Sequence, residues 1–211
     1  MAQDPAQKVQ KGAASPGKEP RTARGRETLR RLLDAAAAEF GERGFHEASI
    51  SGITRRAGTA LGSFYTYFDS KDAIFSALVR HMSQSVATAA AAGVTPGSTG
   101  VVREREALAA FLAFAREHKE LYRIIDEAEF ADPAAWRAHY EGTATRIAAR
   151  FDESVAAGSV APGDSEVRAW AVMGMNVFLG LRFGIWGDDR SVDDVAAEAE
   201  KLLRDGVGRR P

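Results

Sequence analysis

The sequence predicts an all-α protein: an N-terminal three-helix head joined by one long helix to a larger helical body. Three observations carry this. Apolar residues recur at helical spacing along nearly the whole chain, and no strand-like alternation or internal repeat interrupts them. Capping residues and glycine or proline breaks divide the chain into pieces of helical length. The 211 residues, 45% hydrophobic and 27% charged, have the composition of an ordinary folded protein.

Residues 1–24 are rich in Ala, Gly, Pro, Gln and Lys without periodicity, and are expected to form a disordered basic tail. Its Lys8, Lys11, Lys18, Arg21 and Arg24 suit either DNA contact or plain solvation. The head is expected over 25–70. Leu29, Leu32, Leu33, Ala36, Ala37 and Phe40 make one stripe of a first helix, which Gly44 stops. Ser49 N-caps a short second helix with Ile50 and Ile53 inward, and Ala57-Gly58 breaks it. A short third helix follows, with Phe64 and Phe68 inward at i, i+4. Tyr65, Thr66 and Tyr67 are left to face out. One helix cannot bury all four aromatic rings, so at least one tyrosine is expected at the surface.

The body is expected over 71–211, and its first helix, 71–92, connects it to the head. That helix is capped by Ser70 and striped by Ile74, Phe75, Leu78, Val79, Met82 and Val86. Residues 93–100, GVTPGSTG, form a linker. Five more helices are expected, at about 102–118, 119–129, 133–157, 165–186 and 192–205. Asp132-Pro133 is an N-cap followed by proline at the first helical position, and Ser191 with Asp194 makes an approximate capping box.

The absence of cysteine excludes disulfides, thiol catalysis and cysteine-based zinc sites. The four histidines, His46, His81, His118 and His139, lack metal-binding spacing, and no GxSxG elbow, Walker loop or GxGxxG is present. No enzyme, metal or cofactor is expected. The polar N-terminus carries no apolar signal segment, which points to the cytoplasm. The stretch 169–186 approaches membrane-span length. Asn176, Arg182 and three glycines make it a buried helix instead, because charge is costly at a bilayer centre. The net charge of −1 conceals a division: residues 1–82 hold 13 Lys+Arg against 9 Asp+Glu, and the remainder 15 against 20. A basic first third on an acidic remainder fits a DNA-contacting head on a non-contacting body.

Two short helices joined by a glycine-containing turn are a helix-turn-helix, whose second helix fits a DNA major groove. The helix before it, the pattern AGxxxGxxYxYF within it and the Ser70-Lys71-Asp72 start of the next helix resemble the DNA-binding domain of the tetracycline-repressor (TetR) family. The likeness is sharp over about Arg26 to Met82 and architectural beyond. Where family members usually carry Val-Ser at the turn, this chain has Thr59-Ala60, so Thr59 is expected to cap the reading helix one position early. The resemblance assigns base-facing positions to Leu61, Gly62, Ser63 and Thr66, and phosphate contacts to Tyr65, Tyr67 and Lys71. Ser49, Arg55 and Arg56 are further phosphate candidates. The reading helix holds no Arg, Asn or Gln for bidentate base contacts, so specificity would rest on thymine methyls, the Ser63 and Thr66 hydroxyls and DNA shape.

In the body, Phe111, Phe114, Tyr122, Ile125, Phe130, Trp136, Tyr140, Met173 and Phe183 supply either a ligand cavity or an ordinary core. Asn176 and Arg182, set within apolar helices, favour a cavity with polar anchors. The alternatives are a bond from Asn176 to a neighbouring helix and a pair from Arg182 to Asp126 or Glu129. The last helix carries a stripe of Val192, Val195, Ala196, Ala199, Leu202 and Leu203, and Gly174, Gly180 and Gly184 permit close approach in the one before it. The resemblance implies that these two helices pair with their twofold mates in a homodimer.

The expectation is therefore a ligand-responsive DNA-binding transcriptional regulator, a repressor. A homodimer would bind a palindromic operator and be released by an apolar or aromatic effector, such as an acyl thioester or ring compound. The fourth helix is expected to be the only element that spans head and body. A helical small-molecule carrier with a non-functional head and a ligand-independent architectural DNA-binding protein are the alternatives.

Overall fold

The computed structural model describes residues 20–187 and 189–205, and the described residues are helical with no strand. Lys8, Lys11 and Lys18 of the expected tail lie outside them. Helix α1 (Ala23–Glu47) begins at Ala23, where the Thr22 hydroxyl accepts the Gly25 N–H at 3.1 Å. It is broken at Gly44, whose φ of 78° and ψ of 165° are open almost only to glycine. Helices α2 (Ile50–Arg56) and α3 (Leu61–Tyr67) follow, separated by Gly58 at φ 61°. Leu32, Phe40, Ile53, Phe64 and Phe68 are essentially excluded from solvent and meet in one core with α4 (Lys71–Ala92). Each such side chain contributes about 1.5–3 kcal/mol by leaving water.

The α4 stripe is buried throughout, from Ile74 to Val86. The body continues with α5 (Gly100–Glu117), α6 (Glu120–Ala131), α7 (Pro133–Ala156), α8 (Ser165–Gly180) and α9 (Val192–Asp205). The caps fall where the sequence places them. Asp132 accepts the Ala135 N–H at 3.1 Å, and Ser191 accepts that of Asp194 at 3.0 Å.

Three features differ from expectation. The 165–186 segment is not one continuous α-helix, since 181–185 widen into a π-helical turn, and Phe178 and Trp186 lie on the surface. Part of the α9 stripe packs within the chain, with Val195, Ala196 and Ala199 on Leu108 and Leu112 of α5, and Leu202 is left exposed. What stays open is a face of α8, where Val167, Trp170 and Phe178 are exposed around Gly174 and a Cβ at Gly174 would meet nothing. Gly180 and Gly184, by contrast, lie against Tyr122 and Phe111, and against Ala115. Finally, α4 is not alone in joining head to body, because α6 packs extensively along α1.

Candidate DNA-reading face and effector cavity

Burial of Phe64 and Phe68 fixes the rotation of α3 and turns its other faces outward. Leu61 is 51% exposed and Tyr65 48%, while Gly62 and Thr66 are open and Ser63 is half-buried. Leu61 is thus a surface residue rather than core. Tyr67 is half-buried against the head core, leaving Tyr65 as the exposed ring. The Thr66 hydroxyl is only 3.4 Å from the Gly62 carbonyl, a weak bond that a stronger acceptor can replace. Helix α3 has no side-chain cap. Ala60 occupies the N-cap position, and the buried Thr59 hydroxyl has no partner, so Thr59 does not cap it. Ser49 does cap α2, taking the Gly52 N–H at 3.0 Å. Arg55 is exposed and forms no ion pair among the described residues.

Two expected phosphate contacts are used inside the head instead. The Lys71 ammonium donates to the carbonyls of Phe45, His46 and Ala48 at 2.6, 3.0 and 3.0 Å, over the Phe45 ring. Its three N–H bonds are all committed to the chain end that leaves α1, where carbonyls lack helical partners. Arg56 reaches back to α1, donating to Glu39 at 2.7 Å and to both carboxylate oxygens of Glu42. Glu39 is buried, and Arg56, with Arg43 at 3.4 Å, neutralises its charge.

In the body a cavity of about 280 Å³ opens between α4, α5, α6, α7 and α8. Phe111, Tyr122, Ile125, Tyr140, Met173 and Asn176 line it. The Asn176 Oδ1 is buried without a partner, and Tyr122 donates to the Val177 carbonyl at 2.7 Å. Four other candidates are elsewhere. Phe114 lines a separate groove between α1, α4 and α5, and Trp136 packs on the head-side core. Phe130 is 82% exposed, and Phe183 packs on the α5–α9 cluster. Arg182 pairs with Asp189 at 3.1 Å, not with Asp126 or Glu129.

The cavity also holds polar residues that the aromatic inventory missed. Residues 139, 143, 146 and 150 recur at i, i+4, i+7 and i+11, so α7 turns His139, Thr143, Arg146 and Arg150 toward it. Facing them are Val86, Ala87, Ala90 and Ala91 of α4. Burial, reinforced by Arg146, pulls the His139 pKa down to about 4, and His139 shares a 2.8 Å hydrogen bond with Ser83 of α4. Burial raises the Asp126 carboxyl, helped by Glu129, and lowers Arg146, helped by Arg150.

Helix α6 connects the two sites. One side gives Leu121, Tyr122, Ile125 and Asp126 to the cavity. The other clasps the end of α1, where Arg123 donates to the carbonyls of Gly41 and Glu42 at 3.0 and 3.1 Å, and Glu127 accepts the Phe45 N–H at 2.6 Å. The cationic Arg123 on these carbonyls suits the polarity of a helix C-terminus, and Glu127 satisfies an N–H beside the break at Gly44.

A three-helix head with a helix-turn-helix, carried on a cavity-bearing helical body, defines the class of fold. Residues 32–78 match the model of the bacterial regulatory proteins, tetR family. An uncharacterized HTH-type transcriptional regulator of Bacillus subtilis, YdgC, is 54% identical over 56 residues, 26% of this chain and 29% of that protein. The match thus spans less than a third of the relative's length. The whole fold is similar to the Bacillus subtilis regulator FadR in complex with stearoyl-CoA (TM-score 0.73, 17% identity, 85% of this chain and 99% of that one). It is also similar to a TetR-like transcriptional regulator from Rhodococcus sp. RHA1 (TM-score 0.70, 25% identity, 92% and 100%). No described helix is long and apolar enough to cross a membrane.

Proposed function

We propose that the protein is a ligand-responsive, sequence-specific DNA-binding regulator, a repressor that an apolar small molecule releases from its operator. The observation that carries this is the placement of α6, which lines the cavity on one side and holds the end of α1 on the other. A ligand that shifts α6 must move α1 or break Glu127 and Arg123 away from it, and α1 supports both α2 and the reading helix. Helix α4 adds a second route, since Val86 and Ala87 line the cavity while Ile74 and Phe75 pack the head. FadR, which shares this fold, was solved with an acyl-CoA bound, so the architecture accommodates such occupants.

Base reading falls to Leu61, Gly62, Ser63 and Thr66, and phosphate contact to Tyr65, Arg55 and the Ser49 turn. Two such heads, related by a twofold axis, would place reading helices in successive major grooves of a palindromic site. The exposed α8 face of Val167, Trp170 and Phe178 is the self-complementary surface for that homodimer.

The test is salt-dependent binding to DNA upstream of the chain's own coding region, followed by release with candidate effectors. A carrier would bind ligand and no DNA. An architectural protein would bind all DNA alike and release none.

A further inference from the structure

Arg146 stands apart from its neighbours at the cavity. Arg150 is fixed by two bonds to the buried Glu104, at 2.7 and 2.6 Å, and Arg103 by one to Glu153 at 2.6 Å. Arg146 lines the same wall, has no carboxylate partner among the described residues, and makes only a 2.9 Å bond to the Thr143 hydroxyl. Asp126, the one acidic residue of the lining, makes no ion pair with it. Arg146 is an exposed residue on the cavity lining, so its guanidinium fork is free to meet the two oxygens of an acid group that enters there.

We infer that the cavity selects an organic anion, its apolar chain or ring against the alanines of α4 and Phe111, and its acid group on Arg146. This rests on the regulator reading above for its biological sense and on the cavity alone for its chemistry. The buried, unpartnered Asn176 Oδ1 further favours a ligand that carries a hydroxyl or amide N–H. The acid group can belong to a free carboxylic acid or to the phosphates of a coenzyme A thioester, and the chemistry at Arg146 is shared.

The experiment is calorimetric titration of the full chain with matched probes: octanoate, octanamide and octanoyl-CoA, then phenylacetate and phenylacetamide. At least one anion should bind, and the amide matching a bound acid at least about 10-fold more weakly. Octanoate binding assigns the free acid, whereas octanoyl-CoA binding alone assigns the thioester. Arg146→Gln should weaken the bound anion about 10-fold or more and leave octanamide within twofold, while Arg146→Lys recovers part of the loss. An unchanged thermal midpoint in both variants excludes a folding defect. Equal affinity for acid and amide, an Arg146→Gln variant that binds like the parent, or no binding by any of the three anions overturns the inference. DNA binding measured without probe is a separate readout: anion binding without it sinks the regulator reading and leaves this one intact.

Discussion

Glu127, on a helix that lines the cavity, accepts the backbone N–H of Phe45 in the head at 2.6 Å, across 82 positions of sequence. The bond closes just past Gly44, where any Cβ would fall 2.6 Å from a Glu127 oxygen and 2.7 Å from an Arg123 nitrogen. Gly44 is therefore required twice, for its backbone angles and for the room it leaves. If this clasp carries the ligand signal, Glu127→Ala should bind DNA near the parent level in the absence of effector and lose most of the release. Release in the parent should amount to roughly 5- to 150-fold in DNA affinity. Urea unfolding should show a loss of about 1–3 kcal/mol, the worth of a bond to a charged group.

Gly44→Ala should be worse for stability, since strain of about 1–3 kcal/mol adds to the steric conflict with the clasp. Thermal unfolding of the two variants side by side checks the order.

Lys71 separates a structural role from a DNA role. With its three N–H bonds on Phe45, His46 and Ala48, Lys71→Ala should lower the unfolding free energy by about 1–3 kcal/mol. The dependence of log affinity on log salt should stay as in the parent. A slope smaller by about one unit would return Lys71 to the phosphate backbone. Thr66→Ala, in contrast, should leave stability unchanged and shift base preference.

Much of the head was legible because its signals are local. Phe64 and Phe68 are four apart, Ser49 caps three residues ahead, and the Gly58 turn follows directly. The bonds of Lys71 and Arg56 within the head are not legible because their acceptors lie 14 to 26 residues away, and a basic residue beside a helix-turn-helix looks the same whether it holds phosphate or carbonyl. In the body, periodicity revealed the α9 stripe but not that Val195, Ala196 and Ala199 of it pack on α5. Aromatic content likewise located Phe111, Tyr122 and Tyr140 without distinguishing them from the exposed Phe130. The α7 spacing of His139, Thr143, Arg146 and Arg150 was present in the sequence. Alone, a polar stripe is indistinguishable from a solvated face.

The low pKa of His139 has a defined consequence. Folded, it stays neutral down to about pH 4, whereas the unfolded chain protonates it near 6.5. The unfolded state therefore gains protons first, and stability should be full above about pH 6.5 and fall as pH drops toward 4. The loss at pH 5 relative to pH 7 should be about 2 kcal/mol, and His139→Gln should remove that part of the pH dependence in urea unfolding.

The proposed homodimer rests on α8. Phe178→Asp should give monomers by sedimentation and abolish operator binding while leaving the fold intact, because Phe178 is 72% exposed. Leu202, which is 43% exposed at the end of α9, should matter less.

The most direct test of the account is the affinity of the full chain for the DNA upstream of its own coding region, measured against unrelated DNA of equal length at physiological salt. The account predicts a palindromic site bound roughly 10³-fold or more tightly than the unrelated fragment, the margin that separates specific from non-specific recognition. Equal affinity for both fragments, or binding to neither, would contradict it.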